Sequence, residues 1–467
     1  MDNLEVDKTK KQYMRHDKSV HRITWQGIIP SLGQHDKAFV QSLLRSPIEK
    51  IVDMIGNQER FGVAEKKQVC KSPRVFKKAF KNITNEVLDR WMNMLSQASL
   101  EDIADFHIPF VRNVNGIRFA NELYDINFLI KKYIGLCKQQ ETKQSKSNNS
   151  LPSDVIIEIS QSCNFSCIMC VNSKKSYTKK QLPITSFEKI IKLFGQNLKK
   201  VRISGLGEST IVSNFSDYIH CLDTLNHNFQ KEIITNYSAP AEVYVDLLRK
   251  DYTIIVSWDA STKDLFQKIR RGSNFNYMLK SLRLLSSECS NYSKNVILMP
   301  TIQKINMHEI IPLINFAAHY GIKYIAYNMV QVANNMVQGE WLNRNNATLS
   351  DLFEKALSLS HTLGISIAIP DHIGKYPLHL QGTRKSAGTY CSKYLDELLI
   401  KYDGEISVCN MNNIFSYGML DLTESIPHIK KRLIRLWNGP NAQLFREIVN
   451  TEHKHPYCHE CYYLYQH

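Results

Sequence analysis

A chain of 467 residues with 43% hydrophobic and 22% charged side chains has the composition of a globular protein, large enough for two or three domains. No stretch approaches the roughly 18 consecutive apolar residues of a membrane helix, and the opening MDNLEVDKTKKQYMRHDK is too polar for a secretory signal. The expectation is a cytoplasmic protein with no membrane partner. The formal net charge of +15 is spread along the chain, with 25 basic against 17 acidic residues in the first 150 and 34 against 27 in the rest. An excess so diffuse does not make nucleic acid an expected partner.

Residues 1–137 read as a mostly helical domain, with apolar residues at helical spacing toward the end of Phe106–Gly135. Within it, Lys66–Lys81 (KKQVCKSPRVFKKAFK) carries seven basic residues and no acid. Such a run either receives an anionic substrate, a phosphate or an acidic peptide, or is a solvated helix face. Residues 138–153, KQQETKQSKSNNSLPS, are too polar to bury a core and read as a linker.

From Asp154 short β-branched runs alternate with amphipathic helical segments: VIIEIS (155–160), VRIS (201–204), EIITN (232–236), TIIVS (253–257), NVILMP (295–300) and IKYIAYN (322–328). Six β–α units predict an α/β fold, a partial (β/α)6 TIM-type barrel over 154–370, with a further helix and the strand ISIAI at its end. In such barrels chemistry sits at the C-terminal ends of the strands. Residues 371–467 form a small cysteine-rich α+β region.

Eleven cysteines need a reason in a reducing compartment, where disulfides are rare. Cys70, Cys137, Cys221 and Cys289 stand alone and read as small buried hydrophobes. Cys163, Cys167 and Cys170 instead fall within one loop directly after the first strand. Clustered thiolates there suit an iron–sulfur cluster, and three of them leave one iron of a four-iron cluster open to chelate a small molecule. A zinc site is the alternative, but zinc wants a fourth ligand and none lies nearby in sequence.

The C-x-x-x-C-x-x-C spacing resembles that of the radical S-adenosylmethionine superfamily, with Met169 where many members have an aromatic residue. The resemblance implies a [4Fe–4S] cluster on Cys163, Cys167 and Cys170 whose open iron takes the amino and carboxylate groups of S-adenosylmethionine. Reductive cleavage then yields methionine and a 5′-deoxyadenosyl radical, with electrons from a reductant protein such as flavodoxin or ferredoxin. SGLGES (204–209) is similar to the family's glycine-glycine-glutamate-proline motif, with Ser209 in place of proline. It implies that Gly205 and Gly207 permit close backbone approach and that Glu208 accepts from the methionine ammonium. Asn236 in TNYS, Ser257 and Asp259 in SWDAS, and Arg270 in KIRRGSNF match further cofactor-binding positions. The plain alternatives are a helix cap for Asp259 and a surface position for Arg270.

A second constellation comprises Cys391, Cys409, Cys458 and Cys461, with DGEISVC reading as a strand leaving a tight turn. On that reading Cys391 and Cys409 face each other across a hairpin. The pattern resembles the SPASM and twitch domains of radical S-adenosylmethionine enzymes, and four cysteines imply a single auxiliary [4Fe–4S] cluster, against a structural zinc. The spacing is close to that of a butirosin-pathway dehydrogenase, which implies an oxidoreductase acting on a carbohydrate or cyclitol. Peptide modification, with a leader peptide on the N-terminal domain, is the second reading. A non-catalytic zinc protein is the third.

Overall fold

The computed structural model describes residues 126–142, 151–170, 172, 180–225, 228–330, 340, 342, 346–370, 391, 397–407, 416–451 and 458. The expectations for residues 1–125, the basic run Lys66–Lys81 among them, lie outside the described residues, as do Cys409 and Cys461.

The expected strands form one parallel sheet. β1 (Asp154–Ile157), β2 (Lys200–Ile203), β3 (Gln230–Thr235), β4 (Thr253–Val256) and β5 (Val296–Leu298) pair in chain order. After a two-residue break β6 (Thr301–Ile302) continues the line of β5, and after a one-residue break β7 (Tyr324–Ala326) is followed by β8 (Asn328–Met329). Ile297 pairs with Tyr324 and Thr301 with Asn328, the same offset, so side-chain alternation carries across both breaks.

Two more parallel strands extend the six. β9 (Ser366–Ala368), the ISIAI segment, joins β7, and β10 (Glu397–Ile400) joins β1. β10 then turns through Gly404, at φ +87°, into antiparallel β11 (Glu405–Ser407), which pairs with β12 (Ser416–Met419).

Alternation divides the sheet into two faces. On one, Val201, Ile203, Ile254, Val256 and Trp258 are fully buried under helices. These are α1 (Ile126–Thr142), α2 (Ile184–Phe194), α3 (Phe215–Asp223), α4 (Ala241–Arg249), α5 (Lys263–Ile269), α6 (Phe275–Glu288), α7 (Tyr292–Asn295), α8 (Ile310–His319) and α9 (Ala347–Leu363), with α1 packing elsewhere as described below. Trp258 shows why they dock: its ring lies 4.8, 5.4 and 5.1 Å from those of Phe266, Phe275 and Phe316, contributed by α5, α6 and α8. Asn274 and Asn346 cap α6 and α9, accepting from Tyr277 N and Leu349 N.

The other face carries charge at its N-terminal end. Arg202 sits 2.6 Å from Glu232 and 3.6 Å from Glu397, and Lys200 is 2.9 Å from its register partner Asp154. These side chains stay partly exposed, and pairing offsets part of the desolvation cost of placing them on an inner face. Further along, the same parity brings Glu158, Ser204, Asn236, Ser257, Asp259 and Thr301 to the C-terminal end.

The C-terminal region adds α10 (Ile426–Asn438) and α11 (Pro440–Ile448). Lys189 on α2 donates to the carbonyls of Leu422, Thr423 and Glu424 at 3.1, 3.1 and 2.8 Å, tying the approach to α10 to the barrel. α1 packs on α11, with Lys132 2.7 Å from Glu447. The polar stretch that begins at Lys138 therefore starts inside α1, which ends at Thr142.

Candidate active site

The cysteine loop leaves β1 and is pinned on both sides. Ser166 N and Ile168 N donate to the carbonyls of Arg271 and Ile269 at 2.9 and 3.0 Å, fixing it to the end of α5. Glu208 N donates to Ser162 O at 2.7 Å, and Asn172 Nδ2 donates to Gln161 O and Leu206 O at 2.7 and 3.0 Å. The turns after β1 and β2 are thus stitched together. Gly207 is required there: a Cβ would lie 2.4 Å from Ser160 O and 2.6 Å from Ser162 O, both backbone atoms.

The three thiols perturb one another electrostatically. Burial pushes Cys163 up to about 11 and Cys167 up to about 12, with Arg270 pulling Cys167 the other way. Burial thus favours the protonated form of Cys163 and Cys167, and metal binding would draw the proton off. Phe165 N and Asn172 N donate to Cys163 Sγ and Cys170 Sγ at 3.5 and 3.3 Å. Among the described residues no three His, Cys, Asp or Glu side chains are grouped tightly enough for one metal ion. Three soft thiolates spaced about a common volume suit a cluster, whose ligands are distributed over several irons.

The other expected residues gather around this loop. Asn236, 7% exposed, reaches Cys163 Sγ at 3.8 Å and Asn164 Oδ1 at 2.9 Å through its amide nitrogen. Arg270 directs NH1 at Cys167 Sγ, 3.9 Å away, and its Nε lies 2.7 Å from Asp259 Oδ2. Asp259 Oδ1 accepts from Thr301 N at 2.7 Å. Both members of this ion pair are buried, so Asp259 is not a simple helix cap and Arg270 is not a surface residue. Ser257 is half-buried on the same face.

Glu208 is buried and accepts four hydrogen bonds from the chain. Oε1 takes Thr210 N at 3.1 Å, Thr210 Oγ1 at 2.7 Å and Thr235 Oγ1 at 2.8 Å, and Oε2 takes Asn236 N. Burial raises its pKa while these donors pull it down. With about four lone-pair positions on a carboxylate, Oε2 keeps room for one more donor. Thr210, Thr235 and Asn172 escaped the sequence reading, because single neutral polar residues in loops or at a strand end give no pattern of their own.

In the C-terminal region Cys391 is half-buried, its N–H donating to Asn450 Oδ1 at 2.8 Å, and Cys458 is buried. The expected hairpin is β10–β11. Leu399 pairs with Ser407, which puts Cys391 well upstream of the last paired position.

Residues 157–317 match the radical SAM superfamily, and residues 391–462 match SPASM, an iron–sulfur cluster-binding domain. No curated protein matches the sequence. Solved structures similar to this chain include SuiB of Streptococcus suis bound to precursor peptide SuiA (17% identity, 72% of this chain and 73% of that one, TM-score 0.47). Others are anSMEcpe with bound AdoMet and Kp18Cys peptide (16%, 66% and 86%, 0.49) and BtrN in complex with AdoMet and 2-DOIA (14%, 65% and 89%, 0.34). Among the described residues no helix is long and apolar enough to cross a membrane. The thiol loop after β1 and the cysteine-bearing region that follows β9 lie in the two matched domains, and the chain carries a radical SAM domain followed by a SPASM iron–sulfur domain.

Proposed function

We propose that Cys163, Cys167 and Cys170 hold a [4Fe–4S] cluster through three of its irons, and that Gly205, Gly207, Glu208, Asn236, Ser257, Asp259 and Arg270 form the S-adenosylmethionine cradle. The observation that carries this is the approach of Asn236 and Arg270 to the sulfur atoms of Cys163 and Cys167, with Glu208 and Asp259 directly behind them. The chemistry supplied by the bound group is reductive cleavage of S-adenosylmethionine to methionine and a hydrogen-abstracting radical. Glu208 Oε2 receives the methionine ammonium. Arg270, held in place by Asp259, offers a cation beside the cluster sulfurs and the methionine carboxylate. Gly205 and Gly207 let the loop backbone approach the ligand.

Cys391, Cys409, Cys458 and Cys461 would hold one auxiliary [4Fe–4S] cluster, which would supply a one-electron acceptor for the oxidation. The net reaction is oxidation of a C–H-bearing alcohol carbon in a carbohydrate or cyclitol. With a strong reductant, the anaerobically reconstituted protein releases 5′-deoxyadenosine and methionine slowly even without substrate. A protein with a full, reducible cluster that releases none refutes the assignment.

A further inference from the structure

We propose that Glu158 is a positioning residue that holds the Gly205–Glu208 loop, with Lys401 of the C-terminal hairpin as its counter-charge, so that the auxiliary domain governs how the cofactor loop is presented. The inference rests on the reading of that loop as an S-adenosylmethionine contact.

Glu158 lies one residue beyond β1 and is 2% exposed. Its N–H donates to Ile400 O at 2.9 Å, continuing the parallel register in which Ile157 pairs with Ile400. Glu158 and Lys401 are therefore neighbours on the same face of adjacent strands, one in each matched domain. Glu158 Oε2 accepts from Leu206 N at 2.8 Å and Oε1 from Gln161 Nε2 at 3.0 Å. The loop also rests on this side chain: a Cβ at Gly205 would fall 2.3 Å from Glu158 Cγ and 2.5 Å from Oε2. One carboxylate thus reads the backbone of the loop after β2 and braces the cysteine loop through Gln161.

A carboxylate so deep needs a cation. Lys401 is 2% exposed, stands beside Glu158 in the extended β1–β10 register, and places Nζ 3.1 Å from Glu405 Oε2; its charge opposes the larger upward push of burial on the Glu158 carboxyl. The turn fixes Lys401 in turn: Lys401 N donates to Glu405 O, and Gly404 N to Lys401 O, at 2.9 Å each. A Cβ at Gly404 would meet Leu420 O at 2.4 Å, so the turn tolerates only glycine. The hairpin and the Leu206 amide are linked through adjacent strands: Glu158 N donates to Ile400 O, and its carboxylate accepts from Leu206 N.

The test compares reconstituted wild type with Glu158→Gln, Lys401→Met and Lys401→Arg. Three quantities are read: hydrogen–deuterium exchange of segment 204–208, the dissociation constant for S-adenosylmethionine by equilibrium dialysis, and iron content. Glu158→Gln and Lys401→Met should each speed exchange of the segment and weaken cofactor affinity roughly tenfold, with iron unchanged. Lys401→Arg keeps the cation and should stay close to wild type. Unchanged exchange in both Glu158→Gln and Lys401→Met overturns the proposal. Exchange that rises across the whole sheet, with loss of iron, also overturns it, because Glu158 would then be a general fold element. Faster exchange confined to 204–208 with unaltered affinity upholds the tether and removes the loop from the cofactor site.

Discussion

Replacing Glu208 with Gln changes one atom, and the four bonds it accepts set the expected cost. The amide oxygen can serve the three donors now on Oε1, Thr210 N, Thr210 Oγ1 and Thr235 Oγ1. The amide nitrogen then faces Asn236 N–H, donor against donor, where Oε2 had accepted. Losing one charge-assisted bond and stranding a buried N–H costs about 3 kcal/mol. Thr210→Val, which removes only the hydroxyl bond to Oε1, should cost about 1.5 kcal/mol. Urea unfolding of the reconstituted protein measures both, and equilibrium dialysis measures S-adenosylmethionine affinity, which should fall roughly 10- to 150-fold for Glu208→Gln. An unfolding midpoint equal to wild type for Glu208→Gln would refute the four-donor anchoring. Lower stability with undiminished affinity would leave the anchoring intact and show that Glu208 does not bind the ammonium.

Further outcomes follow from the same geometry. Wild type should carry roughly eight irons and eight sulfides, and the Cys163→Ala/Cys167→Ala/Cys170→Ala variant roughly four of each by chemical assay; full iron in that variant sinks the first cluster. The dithionite-reduced triple variant should still give a cluster signal in electron paramagnetic resonance, whereas a silent protein with one bound zinc would make the C-terminal site structural. Asp259→Leu strands the buried Arg270 and should destabilise the fold by about 3 to 5 kcal/mol, read as a lower urea midpoint; a neutral result would mean the pair is not the buried one described. Gly207→Ala forces a methyl against two carbonyls and should weaken cofactor binding while Gly195→Ala, placed in open space though at positive φ, leaves affinity unchanged.

The parallel sheet was legible because buried strands of such sheets are β-branched runs. Asn236 meets Cys163 and Asp259 meets Arg270, three of them at strand ends and Arg270 at the end of α5. Glu158 was legible in principle as the one acidic residue inside the apolar run VIIEIS, but a local pattern gives no sign of its partner Lys401. That pairing depends on β10 joining β1, a contact between distant segments that periodicity does not encode. The same limit hid Asn172 and Thr235, whose roles exist only once two loops meet. The continuation of α1 to Thr142 went unseen because the polar residues from Lys138 follow an apolar stripe that has already docked on α11.

The pairing of β1 with β10 also constrains the order of assembly. During synthesis residue 154 waits for residue 397 before its outer edge is satisfied. Until then the nascent sheet presents an apolar strand with unpaired amides, the kind of template on which other chains accrete. A protein with so distant a closing contact is expected to fold slowly. Truncation ahead of β10 should yield aggregating material and not a trimmed enzyme. The cysteine loop, which begins just beyond that edge, would then take its final shape only after residue 400 has been made, so cluster loading would come late in folding.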